Sequence, residues 1–191
     1  FKFHCKMPIF VARQWVRHRT ANINEYSLRY SEARDEFYLP DPEHIQFQSS
    51  LNKQGRLGEV SDSLKAKVSD YFQEISNRSF EIYSELNDAG VARELARAVL
   101  PVNLYTEWYW KNDLHNLLHF VGLRSDSHAQ YEIRVFSDAM AESVKKVAPF
   151  AWEAYQDYVI SGLRFSRIEQ SLLEQNLPER VIDDILEDIA Y

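Results

Sequence analysis

The sequence predicts an α+β protein of one domain, with long amphipathic helices packed on a small, mainly antiparallel sheet. Three patterns carry that expectation. The opening run Phe1-Lys2-Phe3-His4-Cys5-Lys6-Met7 alternates apolar and polar side chains, the period of a half-buried strand. After Ser61, the apolar positions Leu64, Val68, Phe72, Ile75, Ile82 and Leu86 recur at helical steps with one longer gap. Ala129, Ile133, Phe136, Met140, Val144 and Val147 form a second stripe of the same kind.

Between these landmarks the elements follow in order. Pro8 ends the first strand and suits the opening of a helix, whose stripe of Ile9, Phe10, Val11, Trp15 and Val16 runs into Arg17-His18-Arg19. Residues 20–30 show neither period and read as a polar loop. The long helix from Ser61 stops at Asp88-Ala89-Gly90. A shorter helix is expected over residues 91–100, ended by Pro101. Tyr105-Thr106-Glu107-Trp108-Tyr109-Trp110 reads as an aromatic strand or a buried extended segment, and residues 114–121 as a helix. Asp126 is placed to cap the second long helix, which Pro149 follows. Two short helices close the chain, the last opening at Asn176 with Pro178 in its first turn. Residues 1–191 are therefore expected to form a single domain, with 166–191 a helical C-terminal tail.

Composition limits the function classes. With 45% apolar and 14% aromatic residues, the 191-residue chain has enough nonpolar surface for one core. Gly and Pro number only 5 and 6, and no apolar stretch approaches the ~20 residues of a membrane span, so neither disorder nor a transmembrane helix is supported. No secretory leader is evident, and the single Cys5 fits a reducing cytoplasm. The chain opens at Phe1 without an initiator Met, so an upstream segment is expected to be missing. A formal charge of -7 argues against general nucleic-acid binding, which needs a basic face. Arg13, Arg17, Arg19, Arg29, Arg93, Arg97 and Arg124 nevertheless sit in apolar or neutral neighbourhoods, while acidic residues gather around Asp88 and over 169–188. An anionic small ligand is compatible with that distribution.

Arg17-His18-Arg19 leads into Glu25, Ser27, Arg29 and Tyr30. One reading is a solvated loop with surface arginines. The other is an anion site, because guanidinium groups hold phosphate in a bidentate fork and hydroxyl or loop N–H groups complete the oxygen coordination. His115 and His119 lie four apart, a spacing shared by metal ligands and by structural pairs. The metalloprotease motif is absent and no third ligand is evident, so no metal is expected. Arg124 follows the apolar run 117–123, where an arginine can also serve as a helix-end or salt-bridge residue. Cys5 alternates with Phe3 and Met7 on the expected strand and reads as core.

The stretch RHRTANINEYSLRY, in which seven residues separate Arg19 from Ser27 and Arg29-Tyr30 follows, resembles the signature of the flavin-dependent thymidylate synthases. KMPIFVARQW before it, and LARAVLPVNLYTEWYW and LLHFVGLRSDSHAQYEI after it, match the same family in the same order. The resemblance implies an enzyme that methylates dUMP to dTMP. It would take FAD as cofactor, 5,10-methylenetetrahydrofolate as methylene donor and NADPH as reductant. It further implies a homotetramer with active sites shared between subunits.

Carried over position by position, the resemblance implies that Gln14, Arg17, Glu25, Tyr26, Ser27, Leu28, Arg29 and Arg97 bind dUMP. Arg17, His18, Arg19, Glu25, Asp113, Leu114, His115 and His119 correspond to flavin contacts, with Asp and His at 113 and 115 where the family often carries Asn and Arg. Arg124 corresponds to the catalytic arginine that helps ionise N3 of the uracil. The physics agrees, since a permanently charged donor beside an imide stabilises its anion and makes C5 more nucleophilic. The rival expectation is a non-catalytic nucleotide- or flavin-binding module of the same fold.

Overall fold

The computed structural model describes residues 1–50, 55–176 and 181. Along the chain run β1 (Lys2–Pro8), α1 (Ile9–Trp15), β2 (Asn22–Glu25), β3 (Gln46–Gln48), β4 (Arg56–Glu59), α2 (Asp62–Asp88), α3 (Arg93–Ala96), β5 (Tyr105–Lys111), α4 (Leu114–Arg124), α5 (Tyr131–Val147), α6 (Pro149–Tyr155) and α7 (Arg167–Asn176). Internal contacts divide it into two units, Phe1–Val144 and Lys145–Tyr191.

The first unit contains a three-stranded antiparallel sheet in the order β1-β5-β2, so the aromatic strand sits at its centre. Register places Cys5 and Glu25 on either side of Trp108. Alternation then turns Trp108 and Trp110 to the core and leaves Tyr109 exposed. Trp15 from α1 packs edge-on against both tryptophans at 5.5 Å, stacks on Phe120 of α4 at 5.0 Å and meets Phe136 of α5 at 5.6 Å. One fully buried aromatic thus ties the sheet to three helices.

The long helix after Ser61 forms as expected, with the Ser61 side chain accepting from the Leu64 N–H, but its buried face is rotated from the expected stripe, of which Val68, Phe72, Ile82 and Leu86 are half-buried. Leu64 and Ile75 are exposed, whereas Ser76, Ser79 and Tyr83 are buried. The serines can enter the core because their hydroxyls bond back along the helix, Ser76 to Phe72 O at 2.6 Å and Ser79 to Ser76 O at 3.0 Å. Their small size lets Asn103 approach and donate to Ser76 Oγ. Tyr83 packs with Ala33, Ala96 and Leu104, and its hydroxyl accepts from the Ala33 N–H.

Three further expectations change. Asn22–Glu25 is no loop but the third strand, held by pairing to β5 rather than by its own pattern. The helix over 91–100 shrinks to α3 and a 3-10 turn, Arg97–Val99, since so short a helix before a proline has little to sustain it. Asp126 caps only a local turn, accepting from the His128 N–H at 2.7 Å, so α5 begins at Tyr131; Ala129 precedes it and Val147 is exposed. The hairpin of β3 and β4 was not foreseen, being short and fully exposed. In the second unit, Lys145 lies 5.0 Å over Trp152, and a π-helical turn, Gln156–Ile160, follows α6. The expected final helix opening at Asn176 with Pro178 in its first turn lies outside the described residues, α7 ending at Asn176.

Candidate active site

The end of α1 hands the chain to Arg17-His18-Arg19. The His18 N–H caps back to Trp15 O at 2.9 Å, which turns the imidazole toward α4. There its ring meets Phe120 edge-on at 4.9 Å, and its Nε2 accepts from the Arg124 Nε–H at 2.9 Å. Burial lowers the His18 pKa to about 4, helped by the charges of Arg124 and His119, so the ring is neutral at physiological pH. Burial also lowers the pKa of Arg124, yet a guanidinium keeps its proton. Arg17 and Arg19 are exposed. Among the described residues no carboxylate pairs with Arg17, Arg19, Arg97 or Arg124.

A second group forms where β2 gives way to a turn. Glu25 accepts from Thr106 Oγ1 at 2.7 Å, and the Tyr26 N–H reaches Glu107 O. The Tyr26 hydroxyl donates to Glu32 O. Ser27 O accepts from the Tyr30 and Ser31 N–H groups, and Leu28 packs against the Tyr83 cluster. The turn is docked to α3 by exposed contacts: Arg29 to Glu94 at 3.3 Å, and Arg93 to Tyr30 O and Glu32. Arg97, half-buried, follows in the 3-10 turn.

The start of α4 supplies the remaining residues. Asp113 is its N-cap, accepting from the backbone and side-chain N–H of Asn116 at 2.8 Å each, and those bonds hold its carboxyl below the usual range. That cap is a role that Asp and Asn fill about equally. Leu114 is half-buried, and His115 and His119 are exposed one turn apart. Among the described residues no group of three or more potential ligands could hold a metal ion. Cys5 is buried, and burial pushes its thiol up to about 11, so it is protonated and inert at neutral pH.

The structure therefore joins His18, His119 and Arg124, and separately joins the 25–31 turn to α3. No hydrogen bond or ion pair among the described residues links the two groups. Gln14, on α1, has its Oε1 buried without a partner among the described residues. Two cavities, of about 450 and about 670 Å³, lie elsewhere and are lined by none of these residues. Sequence reasoning missed the cluster beside them. Buried Glu132, in the first turn of α5, receives both Arg56 bonds at 2.7 Å and the Tyr38 hydroxyl at 2.8 Å. Its sequence signal was an acidic residue adjoining Ile133 on the buried stripe, but nothing local names partners 76 and 94 residues away.

The family model described as thymidylate synthase complementing protein matches residues 1–150. A flavin-dependent thymidylate synthase of Ehrlichia ruminantium (strain Gardel) is 51% identical over 174 residues, 91% of this chain. The chain belongs to the flavin-dependent thymidylate synthase family. A family member from Dictyostelium discoideum is 46% identical over 178 residues, 93% of this chain. The chain spans 59% and 58% of the length of these two relatives. Among solved structures, the UMP/dUMP methylase PolB of Streptomyces cacaoi bound with 5-Br UMP superposes with a TM-score of 0.77. It is 33% identical, over 82% of this chain and 72% of that one. Bound with 5-Br dUMP, the same methylase gives a TM-score of 0.75 at 32% identity. In this chain of the flavin-dependent thymidylate synthase family, Arg17, Arg19 and Arg124 have no carboxylate partner among the described residues.

Proposed function

We propose that this chain carries the thymidylate synthase activity of its family, methylating dUMP to dTMP with 5,10-methylenetetrahydrofolate, FAD and NADPH. The observation that carries the reading is that Arg17, Arg19, Arg97 and Arg124 have no carboxylate partner among the described residues of a chain of charge -7. An arginine kept unpaired in an acidic protein is suited to an anion from outside the chain. Arg29, with Ser27 beside it, holds the dUMP phosphate, exchanging its exposed partner Glu94 for the ligand. Gln14, Arg17 and Arg97 complete the nucleotide site with Glu25, Tyr26 and Leu28, the orphaned Gln14 Oε1 being free to accept from it.

Arg124 then stabilises the N3 anion of the uracil, and the charge delocalised to C5 makes that carbon attack the folate methylene. Exposed Arg17 and Arg19 fit the flavin diphosphate, with His18, Glu25, Leu114, His115 and His119 around it. Asp113 serves this site by fixing the start of α4. Flavin, when bound, supplies the hydride that reduces the transferred methylene to a methyl group. The family resemblance supports a homotetramer whose subunits share sites, acting in the cytoplasm. Incubation with dUMP, the folate donor, NADPH and FAD is the test, read as dTMP by chromatography. If dUMP and flavin both bind and no dTMP forms, the chain is a binding module.

A further inference from the structure

Arg124 sits at the end of α4 with one of its five N–H donors committed, Nε to His18 Nε2, and the other four without a protein partner among the described residues. Side-on pairing with a ligand, which needs Nε together with one Nη, is thereby closed. Only the end-on fork of Nη1 and Nη2 is open. We infer that His18 is a positioning residue for Arg124: its neutral imidazole, protonated at Nδ1, pins Nε and aims the end-on fork at the pyrimidine. This inference rests on the proposed role of Arg124 and adds a partner to it.

The choice of histidine has a physical reason. A carboxylate at the same place would fix Nε equally well, but its negative charge would offset the field that Arg124 presents to the uracil. A neutral acceptor orients the guanidinium and leaves its charge whole. The ring is itself held, by the His18 N–H bond to Trp15 O and by the edge-on Phe120. The groups facing it from α4 are the charged Arg124 and the titratable His119, and in its own segment Arg17 and Arg19 flank it, so its surroundings oppose protonation.

The test is a double-mutant cycle on the whole chain. His18→Leu removes the acceptor, His18→Gln retains one that cannot be charged, and each is combined with Arg124→Ala. Single-turnover dTMP formation with His18→Leu should fall on the order of 10²-fold, the cost of a small misplacement at a reacting centre, with the dUMP Kd changed little. His18→Gln should recover most of the rate, and neither change should matter once Arg124 is Ala. Equal losses with Arg124 present or absent would overturn the inference, as would Gln performing no better than Leu. If Arg124→Ala alone forms dTMP at the parent rate, the proposed role of Arg124 fails instead. A readout independent of bound flavin is nitrogen NMR of labelled histidine. His18 Nε2 should show the unprotonated shift from pH 8 down to pH 5.5, and Arg124→Ala should move its titration upward. An Nε2–H signal at pH 7 in the parent chain, or a titration indifferent to Arg124, would sink the idea.

Discussion

Arg124→Lys keeps the charge and loses the planar fork, so geometry alone is tested. Methylation should slow by ~10²-fold or more, the scale of removing one preorganised donor, while flavin reduction by NADPH survives much better. Rapid-reaction traces of the two half-reactions on one sample separate them; if both fall together, Arg124 supports the fold or the flavin pocket. Arg29→Ala should weaken dUMP far more than deoxyuridine, by ~1.5–3 kcal/mol, as calorimetry would measure, because a charge-assisted contact to phosphate is lost. Equal losses for both ligands would place Arg29 elsewhere. The roles expected of these two residues come from the family resemblance, since side-chain chemistry alone left a surface loop open at Arg29 and a helix-end arginine open at Arg124. The bond between His18 and Arg124, which joins residues 106 apart, was not legible in the sequence, since the two lie in separate family-like blocks and nothing in either says that they touch.

At the scale of elements, Glu132 shows what a periodic pattern conceals. Burial alone would raise its pKa, but the bonds from Arg56 and Tyr38 outweigh that and hold it below the ordinary value. A carboxyl depressed on folding contributes stability that is present above its unfolded pKa and lost as pH falls through the folded one. Glu132→Gln should therefore lower stability at pH 7 by ~2–3 kcal/mol, discounted because Arg56 is partly exposed, and flatten the loss of stability below pH ~4.5. Urea titrations across pH 3–7 read both effects, and a variant as acid-sensitive as its parent would refute the assignment. The strand β1, the strand β5, the helix α4 and the existence of α2 and α5 were legible from period and caps. The phase of α2 was not, because Ser76 and Ser79 bury only by bonding their own helix. Nor was β2, whose four residues become a strand through the neighbour they meet.

At the scale of the molecule, the two residue groups suggest an experiment on assembly. Arg97→Ala and Arg124→Ala chains, each inactive alone, should regain dTMP formation when mixed, unfolded and refolded together, because hybrid tetramers would contain some sites with both arginines intact. Light scattering should give a mass near four times the 22.5 kDa chain. Mixtures as inactive as their components would place both arginines in a site built by one subunit. The aromatic centre of the first unit has a consequence of another kind. Trp15 is buried with the rings of Trp108 and Trp110 each 5.5 Å away, and their indole N–H groups have no partner among the described residues. Three of the four tryptophans thus share one dry, asymmetric neighbourhood, where their transitions couple and their emission shifts to the blue. Near-ultraviolet dichroism and fluorescence therefore report chiefly on the seam where α1 meets the sheet, an intrinsic optical label that every unfolding or ligand titration of this chain carries without modification.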